Sequence, residues 1–177
     1  NRPPKLLYPF LAGPGGALNV WDVKTSTQDP VMRLTGAPAG EILQMKVSEN
    51  SRYAVVVVDD LEHSVCVWSL TANDTNSGNV TPSAVLKNPV PVRTATISTD
   101  GKKVVVGRDD KMIRVWDIEA GTEPVVLSGH TASVLDVAFS EARQEIVSAA
   151  EDRGVRIWPL AMAGPRVARR RRPRDDD

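Results

Sequence analysis

His63 and Cys66 stand three residues apart, a spacing that invites a thiol–imidazole pair in which the base activates a nucleophile. The surrounding residues argue otherwise. His63 closes a polar turn, whereas Cys66 alternates with Val65 and Val67 in a β-branched run, so a packed thiol beside a turn imidazole is expected. His130 is the other imidazole, by type a possible base or metal ligand. Asp59, Asp60 and Glu62 form one acidic turn and Asp109 and Asp110 another, but neither has the alternating oxygen ligands and central glycine of a calcium loop. Gly13-Pro-Gly-Gly16 lacks the Lys-Ser or Lys-Thr that would hold phosphates and leads into a strand, so it reads as a hairpin turn.

Charge supplies a further candidate. The chain balances 22 basic against 22 acidic residues, yet Arg166, Arg169, Arg170, Arg171, Arg172 and Arg174 lie in its last thirteen positions, followed by three aspartates. Such a tail can bind RNA or DNA by releasing counterions from phosphates, but with no interleaved aromatic it offers no base readout. The rest of the chain, 16 basic against 19 acidic residues, is slightly acidic. Cys66 is the only cysteine, which favours a reducing compartment and an intracellular, cytoplasmic or nuclear location. No apolar run reaches the roughly 18 residues of a membrane helix. No secretory leader is visible at the start, and no metal or cofactor set emerges.

The elements that would position these side chains follow from a period. Tryptophans at 21, 68, 116 and 158 recur at intervals of 47, 48 and 42 residues, each ending an alternating β-branched stretch. The stretches are Leu18-Asn-Val-Trp-Asp22, Ser64-Val-Cys-Val-Trp-Ser69, Met112-Ile-Arg-Val-Trp-Asp117 and Gly154-Val-Arg-Ile-Trp-Pro159. Before the last three lie β-rich runs at 53–58, 103–107 and 145–149, and before those, runs at 42–47, 92–97 and 134–139. A shorter strand opens each period, at 31–34, 84–86 and 125–127. Four short antiparallel strands every 40 to 45 residues or so make the blade of an all-β propeller.

These residues resemble the WD-repeat family, with the fullest match in the last period: Gly129-His130, Ser148, Asp152 and Trp158. The resemblance implies that the imidazole bridges the turn aspartate to a strand hydroxyl, which in turn meets the indole N–H, so buried polar groups satisfy one another. The third period keeps Asp110 but has Val106 for the hydroxyl and Asn88-Pro89 near the Gly-His position; the second has Glu62 and Val58 at the matching offsets from Trp68. By this reading residues 1–160 form a partial propeller, with a blade end at 5–23 and blades at about 31–70, 83–118 and 123–160. The arginine-rich and then acidic tail 161–177 is expected to be disordered. About three and a half blades are visible, fewer than the four to eight or so of a closed ring, so the chain is expected to be part of a larger, seven-bladed propeller.

Family members commonly dock partners on the face bearing the loops into the first strand and the turns before the tryptophan strand. Carried over by position, that face holds Ser133, Leu135 and Glu151 in the last blade, Pro91, Arg93 and Asp109 in the one before, and Glu41, Leu43 and Leu61 in the second. The expected function is a non-enzymatic scaffold for other proteins or peptides. Two alternatives stand beside it, an RNA- or chromatin-associated subunit anchored by the arginines and the C-terminal sensor region of a larger enzyme.

Overall fold

The computed structural model describes residues 5–9, 18–22, 32–71 and 79–160, all of it strands and turns. Three strands open the chain, β1 (Lys5–Pro9), β2 (Leu18–Asp22) and β3 (Met32–Leu34), and pair in that order. The second sheet begins with β4 (Glu41–Val47), β5 (Tyr53–Asp59) and β6 (Val65–Ser69). A two-residue strand, β7 (Asn79–Val80), returns to lie parallel to β3, and β8 (Ala84–Leu86) completes the second sheet against β6. The third sheet runs β9 (Val92–Ile97), β10 (Lys103–Arg108), β11 (Ile113–Asp117) and β12 (Val125–Leu127). The fourth is β13 (Val134–Ser140), β14 (Glu145–Ala150) and β15 (Val155–Pro159).

The period counted along the chain and the sheet built from it are offset by one strand. The short strand that opens each period pairs with the tryptophan strand of the period before: β3 with β2, β8 with β6 and β12 with β11. A unit read as 83–118 therefore lends 84–86 to the preceding sheet and takes 125–127 from the next. Each blade is thereby tied to its neighbour by the covalent chain, which resists separation of the sheets.

Packing follows from period-2 alternation applied to sheets buried on both faces. In β5, Ala54, Val56 and Val58 meet Leu18, Val20, Met32 and Leu34 of the first sheet, while Val55 and Val57 face Val92, Ala95, Val104 and Val106 of the third. This explains an unbroken run of four valines where a one-sided strand would alternate. Val105, Ile113 and Val115 then meet Val134, Val137 and Ile146 of the fourth sheet. Alternation reappears in β14, and in β15 Val155 and Ile157 are 71% and 58% exposed, because no described residue covers that face.

Strands β4, β9 and β13 lie side by side along the inner edge. Lys46 on β4 reaches past the third sheet to Asp136 on β13, with Nζ 2.5 Å from Oδ1, and also donates to the Val137 carbonyl at 3.0 Å. Thr94 Oγ1 donates to the same carboxylate at 3.0 Å, so one aspartate ties three inner strands together. Burial pushes the Asp136 pKa up, but Lys46 and Thr94 outweigh it and hold the carboxyl below its usual range.

Candidate partner-binding rim

The tryptophan strands carry the side chains that fix each blade. In the fourth sheet, Trp158 Nε1 donates to Ser148 Oγ at 2.8 Å, the hydroxyl stands 2.8 Å from His130 Nε2, and His130 Nδ1 stands 2.9 Å from Asp152 Oδ2. A carboxylate can only accept, so Nδ1 carries the proton, Nε2 accepts from Ser148, and the relay runs one way from indole to carboxylate. Asp152 also accepts from the Thr131 and Gly154 amides. Those Thr131 and His130 donors, led by the backbone amide, hold the Asp152 carboxyl down to about 2. The structure thus brings His130, Ser148, Asp152 and Trp158 together. An Asp–His–Ser relay has the connectivity of an acyl-transfer triad, but Ser148 is 1% exposed and its Oγ already receives the indole N–H, so no carbonyl carbon can approach it.

The second and third sheets solve the same problem differently. Trp68 is fully buried and its Nε1 donates to the Thr35 carbonyl at 3.3 Å. Register places Val56, not Val58, at the position of Ser148: Ala54 pairs with Trp68 as Ile146 pairs with Trp158, yet the second hairpin is two residues longer. Counting back from the tryptophan therefore misplaces Val58 and Glu62. The working turn acid is Asp60, which accepts from the Ser64 amide at 2.7 Å and hydroxyl at 2.8 Å, while Glu62 pairs with Lys87. In the third sheet Val106 does take the serine position, and Trp116 Nε1 has no acceptor among the described residues. There Asp110 is bound by Arg108, whose side chain is 2% exposed. Burial, ahead of the Asp110 attraction, lowers the Arg108 pKa.

At the opposite ends of the hairpins from the tryptophans, the three inner strands share one irregularity. Ile42 pairs with Val58 and Gln44 with Val57, leaving Leu43 extra; the same skip leaves Arg93 between Val92 and Thr94, and Leu135 between Val134 and Asp136. Each is a β-bulge, which bends its strand and re-aims the extra side chain. Leu43 is 51% and Leu135 48% exposed, and between them the half-exposed Arg93 holds Asp109 with Nε 2.5 Å from Oδ1. The Asp109 hydrogen bond, its charge and that of Glu151 raise the Arg93 pKa.

The neighbouring loops close this rim. Asp109 N donates to the Pro91 carbonyl at 3.1 Å, Glu151 N to the Ser133 carbonyl at 2.9 Å, and Ser133 Oγ to the Asp109 carbonyl at 3.3 Å, which couples the third and fourth sheets. Glu41 pairs with Asp59 in the ladder. Thus Glu41, Leu43, Pro91, Arg93, Asp109, Ser133, Leu135 and Glu151 lie at one end of the sheets. Leu61 lies at the same end but not at the matching place: the longer hairpin puts Asp59 at the position of Asp109 and Glu151 and thrusts Leu61 outward, fully exposed.

The remaining candidates lie in the core, in a turn or outside the described residues. Cys66 is buried in the core between the first two sheets, which pushes its thiol up to about 12, with Asp60 adding to the effect. His63 takes a left-handed backbone (φ 47°) in the turn. Among the described residues no three His, Cys, Asp or Glu side chains group as metal ligands, and no helix is long and apolar enough to cross a membrane. The glycine-rich loop at 13–16 and the arginines at 166–174 lie outside the described residues. Sequence reasoning placed Asp60 in an acidic turn but missed its bonds to Ser64, and it missed Arg108 and the Lys46–Asp136 tie; the signal for Arg108 was only its step of two residues from Asp110.

Stacked four-stranded antiparallel sheets with their inner strands along one edge define a β-propeller. Residues 81–117 and 121–159 match the family described as WD domain, G-beta repeat, so this part of the chain carries WD repeats of the propeller family. It is similar to the transcription initiation factor TFIID subunit 5 of Caenorhabditis elegans, 44% identical over 55 residues, covering 31% of this chain and 8% of that one. It is also similar to the ribosome biogenesis protein WDR12 homolog of Ixodes scapularis, 29% identical over 78% of this chain and 37% of that protein. The solved structure of U3-55K shares the fold with a TM-score of 0.58 at 20% identity, over 71% of this chain and 38% of that one. The chain spans less than half the length of each of these relatives.

Proposed function

We propose that the chain is a non-enzymatic scaffold that docks other proteins or peptides on the bulged rim, as part of a larger assembly. One observation carries the reading: three successive inner strands bulge at the same position and present Leu43, Arg93 and Leu135 outward, flanked by Glu41, Asp109 and Glu151. The second and third sheets beneath are buried on both faces and the fourth packs on the third, so the rim is pre-organised and little ordering entropy opposes binding. Two exposed leucines around a charged arginine supply apolar contact with a polar border, the composition of an interface centre. The relatives' names fit the setting, one being a subunit of a transcription initiation factor and another a ribosome biogenesis protein, and they support a nuclear or cytoplasmic role as part of this proposal.

The test is to identify partners of the complete protein by proximity labelling in cells, then titrate each purified partner against the parent chain and against the rim variants Leu43→Ala, Arg93→Ala with Glu151→Ala, and Leu135→Ala. Affinity should drop about tenfold or more in at least one variant, with unchanged thermal unfolding. Every partner binding every variant with parental affinity would refute the rim. Binding that instead falls steeply with salt, and loses that dependence when residues 166–174 are deleted, would favour an RNA- or chromatin-bound role carried by the arginine tail.

A further inference from the structure

At the other end of the inner strands from the bulges, β4, β9 and β13 enclose a groove of about 320 Å³. Its lining mixes the apolar side chains of Val47, Ile97, Ala138 and Phe139 with Thr96 and Thr99, and Glu49 and Glu141 stand at its lip, in the turns just past β4 and β13. Lys46 also lines it, but its charge is already matched by Asp136. Neither lip glutamate has an ion-pair partner among the described residues; Glu141 accepts instead from the Thr99 amide and from Gln144. Thr99 in turn receives Asn50 Nδ2 on its carbonyl at 2.6 Å, so the turns that frame the opening are held to one another. The groove is therefore a slot of mixed apolar and polar lining with two negative charges at its mouth that no ion pair among the described residues matches, on the face away from the proposed docking rim.

We infer that this groove is a second binding site, taking a peptide segment that seats one apolar side chain on Val47, Ile97 and Phe139 and sets a lysine or arginine beside Glu49 and Glu141. The volume accommodates one large side chain, and pockets of this size bind through an apolar body with a few placed polar groups. The charge pattern selects a basic neighbour and repels an acidic one, since an unmatched carboxylate pair raises the cost of bringing a third negative charge near. With sites at both ends of the inner strands, the scaffold holds two partners at once.

The probe is a pair of blocked tripeptides, Lys-Phe-Lys and Glu-Phe-Glu, titrated into the isotope-labelled whole chain while amide resonances are followed. The basic peptide should shift the signals of Thr96, Thr99 and Ala138 and leave Leu43, Arg93 and Leu135 unmoved; the acidic peptide should shift neither set. Glu49→Gln with Glu141→Gln should weaken the basic peptide at least about fivefold, and raised salt should do the same. Ala138→Trp, which fills the slot from an exposed position, should abolish binding with unchanged thermal unfolding. Equal shifts from both peptides, shifts confined to the rim, or no shift at millimolar peptide would overturn the inference, and the rim variants of the preceding section decide the docking face separately.

Discussion

At Trp116 the indole N–H and, in the loop before the same sheet, the Asn88 Oδ1 are both buried without a partner among the described residues, and Val106 stands where Trp158 finds the Ser148 hydroxyl. A hydroxyl at 106 would accept from the indole and donate toward Asn88, which holds the place of His130. Val106→Thr should therefore cost less stability than Val104→Thr on the same strand, where the hydroxyl meets only apolar neighbours and costs about 1–3 kcal/mol; urea melts of the two variants measure the difference. In the complete network, acid is the probe. An ordinary aspartate titrates near about 3.9, and Asp152 in the fold at about 2, so the folded state favours the carboxylate. Its stabilisation is fully present above about pH 4 and is lost as pH falls toward 2. Asp152→Asn should be less stable than the parent at pH 6, with the gap closing between pH 4 and 2; a gap constant across that window would mean the carboxylate charge is irrelevant.

Among the elements, the hairpins and their junctions decide how sheets dock. Gly107 sits on β10 where Val134 of the next sheet crosses, and a Cβ there would stand 2.7 Å from both Val134 Cγ1 and Thr94 Cγ2. The Val134 contact cannot relax without parting two sheets, and Thr94 is the cross-strand partner of Gly107 in its own sheet, so Gly107→Ala should destabilise by about 1–3 kcal/mol, measured by thermal unfolding. The strands themselves were legible because β-branched alternation and polar turns are local signals, and the runs at 42–47, 92–97 and 134–139 fall within β4, β9 and β13. Their allocation to sheets was not, because β8 and β12 choose partners across a loop, and pairing is a long-range matter of register. Leu61 shows the same limit. Offsets counted from a tryptophan assume equal hairpins, and the extra two residues of the second one become visible only when Ala54 is seen opposite Trp68.

For the molecule as a whole, equivalent positions differ in burial according to what lies beside each sheet. Val67, Val115 and Ile157 occupy the same place on successive tryptophan strands, yet they are 1%, 7% and 58% exposed. Val67→Asp should unfold the chain, since it buries an unpaired charge, whereas Ile157→Asp should change stability by less than about 0.5 kcal/mol. Cys66 reports the outcome: buried and with its thiol pushed up to about 12, it should resist a thiol reagent in the parent and in Ile157→Asp but react at once in Val67→Asp.

Residue order alone determined the repeat and the strand-rich class, because each rests on spacing and on side-chain types that act within a single period, while the hydrogen-bonded quartet was implied by the resemblance to the WD-repeat family. Three things were settled only in three dimensions: which strand completes which sheet, that Lys46 meets Asp136 ninety residues away, and that Leu43, Arg93 and Leu135 are all bulged. The reason is common to them. A propeller buries each sheet between two others, so the identity of a side chain's neighbours depends on loop lengths and register summed over several blades, and no local pattern records that sum.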